Sequence, residues 1–218
     1  MLKPIPQHLN SLNLIEISKA LMKVEHFIFF GTLLGIVRDG DIIPNDDDID
    51  IYVDIKYRSK LIKELSNAGF FVNENIYPNF SNYFLQLQIP REDLITYVDF
   101  YFFDSSQAKY ISEKWNFSGR IDNFYNEMHI PKELIFPLKK FLYKDIQLSI
   151  PSKPNEVCAF LYGNEWRIPL NKNKHYTTAI INNKPVILKG LLGKSFLKFL
   201  NFFQLIKKKL GKRILLRK

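Results

Sequence analysis

The sequence predicts an α/β domain followed by a basic amphipathic C-terminal helix. Three observations predict it. Short apolar, strand-like runs alternate with segments of helical spacing between residues 12 and 162. The run Asp48-Ile49-Asp50-Ile51-Tyr52-Val53 alternates strictly, so its acids share one face and its isoleucines the other. From Lys189 to Lys218 there are ten Lys and Arg and no acid, which leaves 21 basic and 22 acidic residues for the remainder. The body, 1–188, is nearly neutral, and the tail, 189–218, carries the excess charge.

Residues 12–24 place Leu12, Leu14, Ile15, Ile17, Leu21 and Met22 at largely helical steps, with Ser11 as a cap. A first strand follows at 27–30, and Gly31 turns the chain into a short helix opening at Thr32. A polar loop, 39–45, closes at Pro44. The acidic strand spans 48–53. Residues 57–67 read as a helix ended by Gly69. Phe70–Val72 begins a strand, 82–89 alternates as another, and the β-branched and aromatic run 94–103 is a third. Residues 104–131 read as loops and a hairpin, 134–150 as strand–turn–strand around Tyr143-Lys144-Asp145, and 154–162 as a helix capped by Asn155. Residues 164–187 read as surface segments.

The length suits one domain with a sizeable core, and 46% apolar residues exclude a disordered chain. The only cysteine, Cys158, lies in an apolar run and reads as an inert small hydrophobe. The start MLKPIPQHLN lacks the apolar stretch of a signal peptide, and no run of about 18 apolar residues suggests a spanning helix. His26 and His129 lack ligand-type partners and read as structural. Trp166 and Tyr162 read as packing residues.

Asp46, Asp47, Asp48 and Asp50 crowd into five positions. Carboxylates at that spacing repel and raise one another's pKa unless a cation neutralises them. A hard divalent ion, Mg²⁺ or Mn²⁺, is the expected cation. Asp48 and Asp50 project side by side from a strand. Asp99, the lone acid of the 94–103 run, supplies the third ligand from a neighbouring strand, since a carboxylate there is costly to bury unless paired or metal-bound. Asp46 is placed to hold water or acceptor, whereas Asp47 alternates away from Asp48 and is expected to be exposed. Gly31 and Thr32 open a helix whose N–H groups suit phosphate, and Arg38 follows. An EF-hand is excluded. Counting from Asp46, its sixth and twelfth positions are Ile51 and Tyr57, not Gly and Glu.

Gly31-Thr32-Leu33-Leu34-Gly35-Ile36-Val37-Arg38, followed by Ile43-Pro44-Asn45-Asp46-Asp47-Asp48-Ile49-Asp50, resembles the LicD family, which includes the fukutin-type proteins. Phe136-Pro137-Leu138, Ile150-Pro151 and Leu161-Tyr162-Gly163-Asn164-Glu165-Trp166 also look like that family, so the resemblance spans about residues 10–170. Asn45 departs from it, standing where the family usually has Trp. The resemblance implies a nucleotidyltransferase-like fold, here a mixed sheet flanked by helices over 1–188, and a divalent metal. It implies transfer of a phospho-alcohol, such as phosphocholine, ribitol phosphate or glycerol phosphate, from a CDP-linked donor to a sugar hydroxyl of a cell-surface glycan or glycolipid.

In the tail, Lys194, Lys198, Asn201, Gln204 and Lys208 form one polar stripe among Phe, Leu and Ile, with Lys207-Lys208-Lys209 beyond. That pattern fits a helix lying on an anionic membrane surface through 190–218, at the cytoplasmic face of the plasma membrane. It fits nucleic acid poorly. Two rival readings remain: a DxD glycosyltransferase using Asp48 and Asp50, and a non-catalytic membrane-binding adaptor. The first wants a nucleotide-binding segment well upstream, and only 47 residues precede Asp48.

Overall fold

The computed structural model describes residues 5–76, 82–114, 127–170, 176–190 and 195. Most of the basic tail therefore lies outside the described residues. Strands β1 (His26–Ile28), β2 (Ile49–Asp54), β3 (Phe84–Arg91), β4 (Leu94–Asp104), β5 (Tyr110–Glu113) and β6 (Met128–Pro131) form one sheet. Its order is β1-β2-β4-β5-β6, with β3 also on β4. β2 and β4 run parallel, and the other pairs are antiparallel. Two hairpins stand apart from it: β7 (Lys139–Tyr143) with β8 (Ile146–Ile150), and β9 (Tyr176–Ile181) with β10 (Lys184–Lys189).

Helices cover both faces of the sheet. On one face Asn13 of α1 (Gln7–Ala20) donates to Thr96 of β4, and Arg58 of α3 (Arg58–Asn67) lies over the Phe102 ring. On the other, α2 (Phe30–Asp39) packs on β2 and on α5 (Pro154–Tyr162), with the single turn α4 (Lys132–Ile135) against α5. Every residue of β2 is buried as a result. Ile49, Ile51 and Val53 pack toward α1 and α3. Asp50 and Tyr52 face α2, where Tyr52 stacks on Phe29 at 3.9 Å and meets Phe27, Phe30 and Tyr101. Two-sided burial is usual for a parallel pair. Here it places an acid in the same layer as an aromatic core.

Several expected boundaries shift. α1 starts at Gln7, behind Pro6, and not at residue 12. Ser11 lies inside the helix, where its hydroxyl pairs with that of Tyr143 at 2.8 Å. α2 starts at Phe30, two residues early. α5 spans Pro154–Tyr162 as expected, but its cap is Lys153, and Asn155 lies inside the helix behind Pro154. Phe70–Val72 forms no strand. The region read as surface, 164–187, holds the β9–β10 hairpin, and Trp166 is buried. Asn182 and Asn183, at φ 51 and 62, make the tight turn that joins these strands. Gly69, at φ 89, follows α3 as expected. The β5–β6 hairpin and the β7–β8 turn also stand where the sequence places them.

Candidate active site and metal centre

The chain reaches β2 through a tight acidic turn. Asn45 adopts φ 62, the Asp46 amide donates to the Ile43 carbonyl at 3.2 Å, and Asp46, Asp47 and Asp48 all precede the start of β2. Asp46, Asp47 and Asp48 each present a carboxylate oxygen, and these oxygens all lie within 4.8 Å of one another. Asp47 therefore does not point away from Asp48. Strand alternation begins only at Ile49, so the two-residue period does not govern the turn.

One step further, Asp50 is paired in register with Asp99 of β4. Both are buried, at 5% and 1% exposure. Asp50 Oδ2 accepts from the Gly31 amide at 2.8 Å and the Thr32 amide at 3.4 Å, and the Asp50 amide donates to Thr32 Oγ1 at 2.8 Å. Asp99 Oδ1 accepts from Gln86 Nε2 at 2.9 Å. The N–H groups expected to meet phosphate thus fasten Asp50. Residue Phe30, directly before them, holds a left-handed backbone at φ 39 while its ring is locked against Tyr52 and Tyr101. Strain of this kind persists only where packing over-determines it.

The electrostatics join the turn to the strands. Burial pushes the Asp48 carboxyl well above the usual carboxylate range, and the charges of Asp50, Asp99, Asp47 and Asp46 push it further. Burial likewise raises Asp50, with Asp46 and Asp99 adding to it, against the stabilising amides of Thr32 and Gly31. Asp46, Asp48, Asp50 and Asp99 are therefore within mutual electrostatic reach. Gly31 is the floor of this arrangement. A Cβ on it would lie 2.9 Å from Asp46 Oδ2 and 3.2 Å from Asp50 Oδ2. Gly35, one turn on, lets the loop backbone at Asp41 and Ile43 approach to a distance that any Cβ would obstruct. An all-oxygen, anionic set whose members repel one another fits a hard divalent cation such as Mg²⁺ or Mn²⁺.

Arg38 sits elsewhere on α2. Its guanidinium forms a two-pronged pair with Asp39, at 2.9 and 2.6 Å. It also lines a cleft of about 280 Å³ with Leu34, Tyr162, Trp166, Ile187 and Lys189. Gly31, Leu34 and Arg38 follow at i, i+3 and i+7, so the cleft and the acids share one side of the helix. Two polar residues escaped the sequence reading. Gln86 faces Asp99 through the β3–β4 hairpin register, which the short turn at Glu92-Asp93 could have revealed. Asn10 donates to the Asp46 carbonyl at 3.0 Å, a contact with no local signal in the sequence.

The family model for the LicD/FKTN/FKRP nucleotidyltransferase domain matches residues 23–153. No curated protein matches the chain. Among solved structures, it is similar to the crystal structure of a lincosamide antibiotic adenylyltransferase, LnuA, with lincomycin bound. The identity is 15%, the match covers 73% of this chain and 88% of that chain, and the TM-score is 0.46.

Proposed function

The chain belongs to the LicD/FKTN/FKRP nucleotidyltransferase-domain family, and from that premise we propose a metal-dependent transferase acting on a CDP-linked alcohol. It moves the phospho-alcohol to a sugar hydroxyl of a glycan or glycolipid. The observation that carries this reading is the paired burial of Asp50 and Asp99 beside the Asp46–Asp48 turn. Asp48, Asp50 and Asp99 would hold Mg²⁺ or Mn²⁺, with Asp46 and Asp47 beside them. The ion supplies charge neutralisation on phosphate oxygens.

The chain's own groups orient the reaction. The amides of Gly31 and Thr32, with the Thr32 hydroxyl, fix Asp50. Gln86 fixes Asp99. Asp46, half-buried at the edge of the turn, is reachable by an incoming hydroxyl and is the favoured base. The acceptor oxygen bonds to the phosphorus bearing the alcohol as the bond from that phosphorus to the CMP oxygen breaks. CMP leaves with the electron pair, and the hydroxyl proton passes to Asp46. Such transfer depends mainly on positioning and electrostatics. The cleft beside Leu34 and Arg38 takes the organic portion of a substrate.

No described helix is long and apolar enough to cross a membrane. Residues 190–218 are proposed to lie on an anionic membrane surface at its cytoplasmic face, where a lipid-linked acceptor is presented. The test of the reaction is CMP release from CDP-choline, CDP-ribitol, CDP-glycerol and CDP-ethanolamine with Mg²⁺ and extracted glycolipid. Release from one of them, abolished by chelation, is the expected result. No release from any, with or without metal, would overturn the reading.

A further inference from the structure

We propose that the N-terminal segment is part of the active site, and that Asn10 is a positioning residue which sets the acidic turn. The inference rests on the metal reading of that turn. Asn10 is fully buried on α1, outside the family-matched residues 23–153. Its Nδ2 donates to the Asp46 carbonyl at 3.0 Å, and the Ile5 amide donates to the same oxygen at 3.3 Å. Gln7 Nε2 donates to the Ile42 carbonyl at 2.6 Å. The segment thus grips the loop on both sides of Pro44-Asn45. A carbonyl held by two donors cannot rotate without losing both, so the Asp46 peptide plane is fixed. That plane sets where the Asp46 carboxylate meets Gly31 and where Asp47 and Asp48 follow.

Among the described residues, the buried Asn10 Oδ1 has no hydrogen-bond donor. A side chain retained for stability alone would satisfy both ends, because an unmet buried acceptor is costly. The donation to Asp46 is what the amide provides. Asn13 offers the contrast. It is equally buried on the same helix, but it bonds Thr96 and Arg91, away from the turn.

The experiment compares Asn10→Ala with Asn13→Ala in the full chain. Mn²⁺ affinity is measured by electron paramagnetic resonance, and amide exchange over residues 43–48 is measured in metal-free protein. Asn10→Ala is expected to weaken Mn²⁺ by about tenfold or more, as loss of a hydrogen bond that supports the surroundings of a metal site commonly does. It should also speed exchange in 43–48. Asn13→Ala should do neither at matched folded fraction. Equal effects from both variants, or none from Asn10→Ala, would overturn the proposal. Should Asn10→Ala fail to fold, Gln7→Ala, at a half-buried position, carries the same two readouts with the same outcomes. If the wild-type chain binds no Mn²⁺, the metal reading falls, and exchange over 43–48 alone still decides whether Asn10 holds the turn.

Discussion

Asp50 and Asp99 are register partners on parallel strands, and each is held by a different support. Backbone amides of α2 hold the first, and a glutamine of β3 holds the second. Two buried acids side by side are unfavourable in isolation, so their persistence is a demand on something else to neutralise them.

Asp50→Asn and Asp48→Asn are therefore expected to remove metal-dependent turnover by about a hundredfold or more, a loss of several kcal/mol of charge stabilisation. The fold should survive, since each change relieves repulsion. Asp99→Asn should match them. Thermal melts by circular dichroism and Mg²⁺-dependent CMP release check both halves. Near-normal release in any of the three would end the metal assignment for that residue.

Gly31→Ala adds one carbon where Asp46 and Asp50 oxygens lie 2.9 and 3.2 Å away. The helix itself tolerates alanine, which is a better helix former. The carboxylates must move instead. Metal affinity is expected to fall by about tenfold or more with little loss of melting temperature. Terbium luminescence titration measures the first, and unchanged affinity would show that the two acids can shift freely.

Cys158 is fully buried on α5, and burial pushes its thiol up to about 12. At pH 8 it should resist iodoacetamide until the protein unfolds, so the alkylation rate in rising urea should track the loss of circular dichroism. The sign of the linked stability follows. The folded state favours the protonated thiol, so its contribution is present below the unfolded value near 9 and declines as pH rises toward 12. Rapid labelling of native protein would contradict the burial.

Truncation after Gly190 keeps β10 entire and removes the basic segment. The shortened chain should stay folded and lose co-sedimentation with anionic vesicles, more so at low salt. Equal binding with and without the segment would remove the membrane role proposed for 190–218.

The site was legible where chemistry is local. The pairing of Asp50 with Asp99 was readable because acids seldom interrupt β-branched and aromatic runs without a partner, whereas Asp48, expected on the strand beside Asp50, lies in the turn before β2. Gly31 was read as the turn before α2 but is its second residue, and its closeness to Asp46 was not readable, since that depends on how α2 docks on β2. Asp47 was misplaced because alternation was extended into a turn that Asn45 bends. Asn10 was invisible for a different reason. A polar residue on a helix carries no mark of which distant carbonyl it will meet. The β9–β10 hairpin was missed although Asn182-Asn183 is a strong turn signal. β10 is only partly buried along its length, and its alternation is correspondingly weak.

The parallel pairing of β2 with β4 also bears on how the protein acquires its site. Antiparallel hairpins such as β3–β4 close over a few residues, whereas Asp50 and Asp99 are roughly fifty positions apart, and loop closure over such a span is slow to be rewarded. Refolding from denaturant should therefore recover hairpin structure before ion-binding capacity. The capacity to bind a cation would mark completion of the central sheet, and a divalent ion in the refolding buffer would stabilise the finished state without hastening its formation.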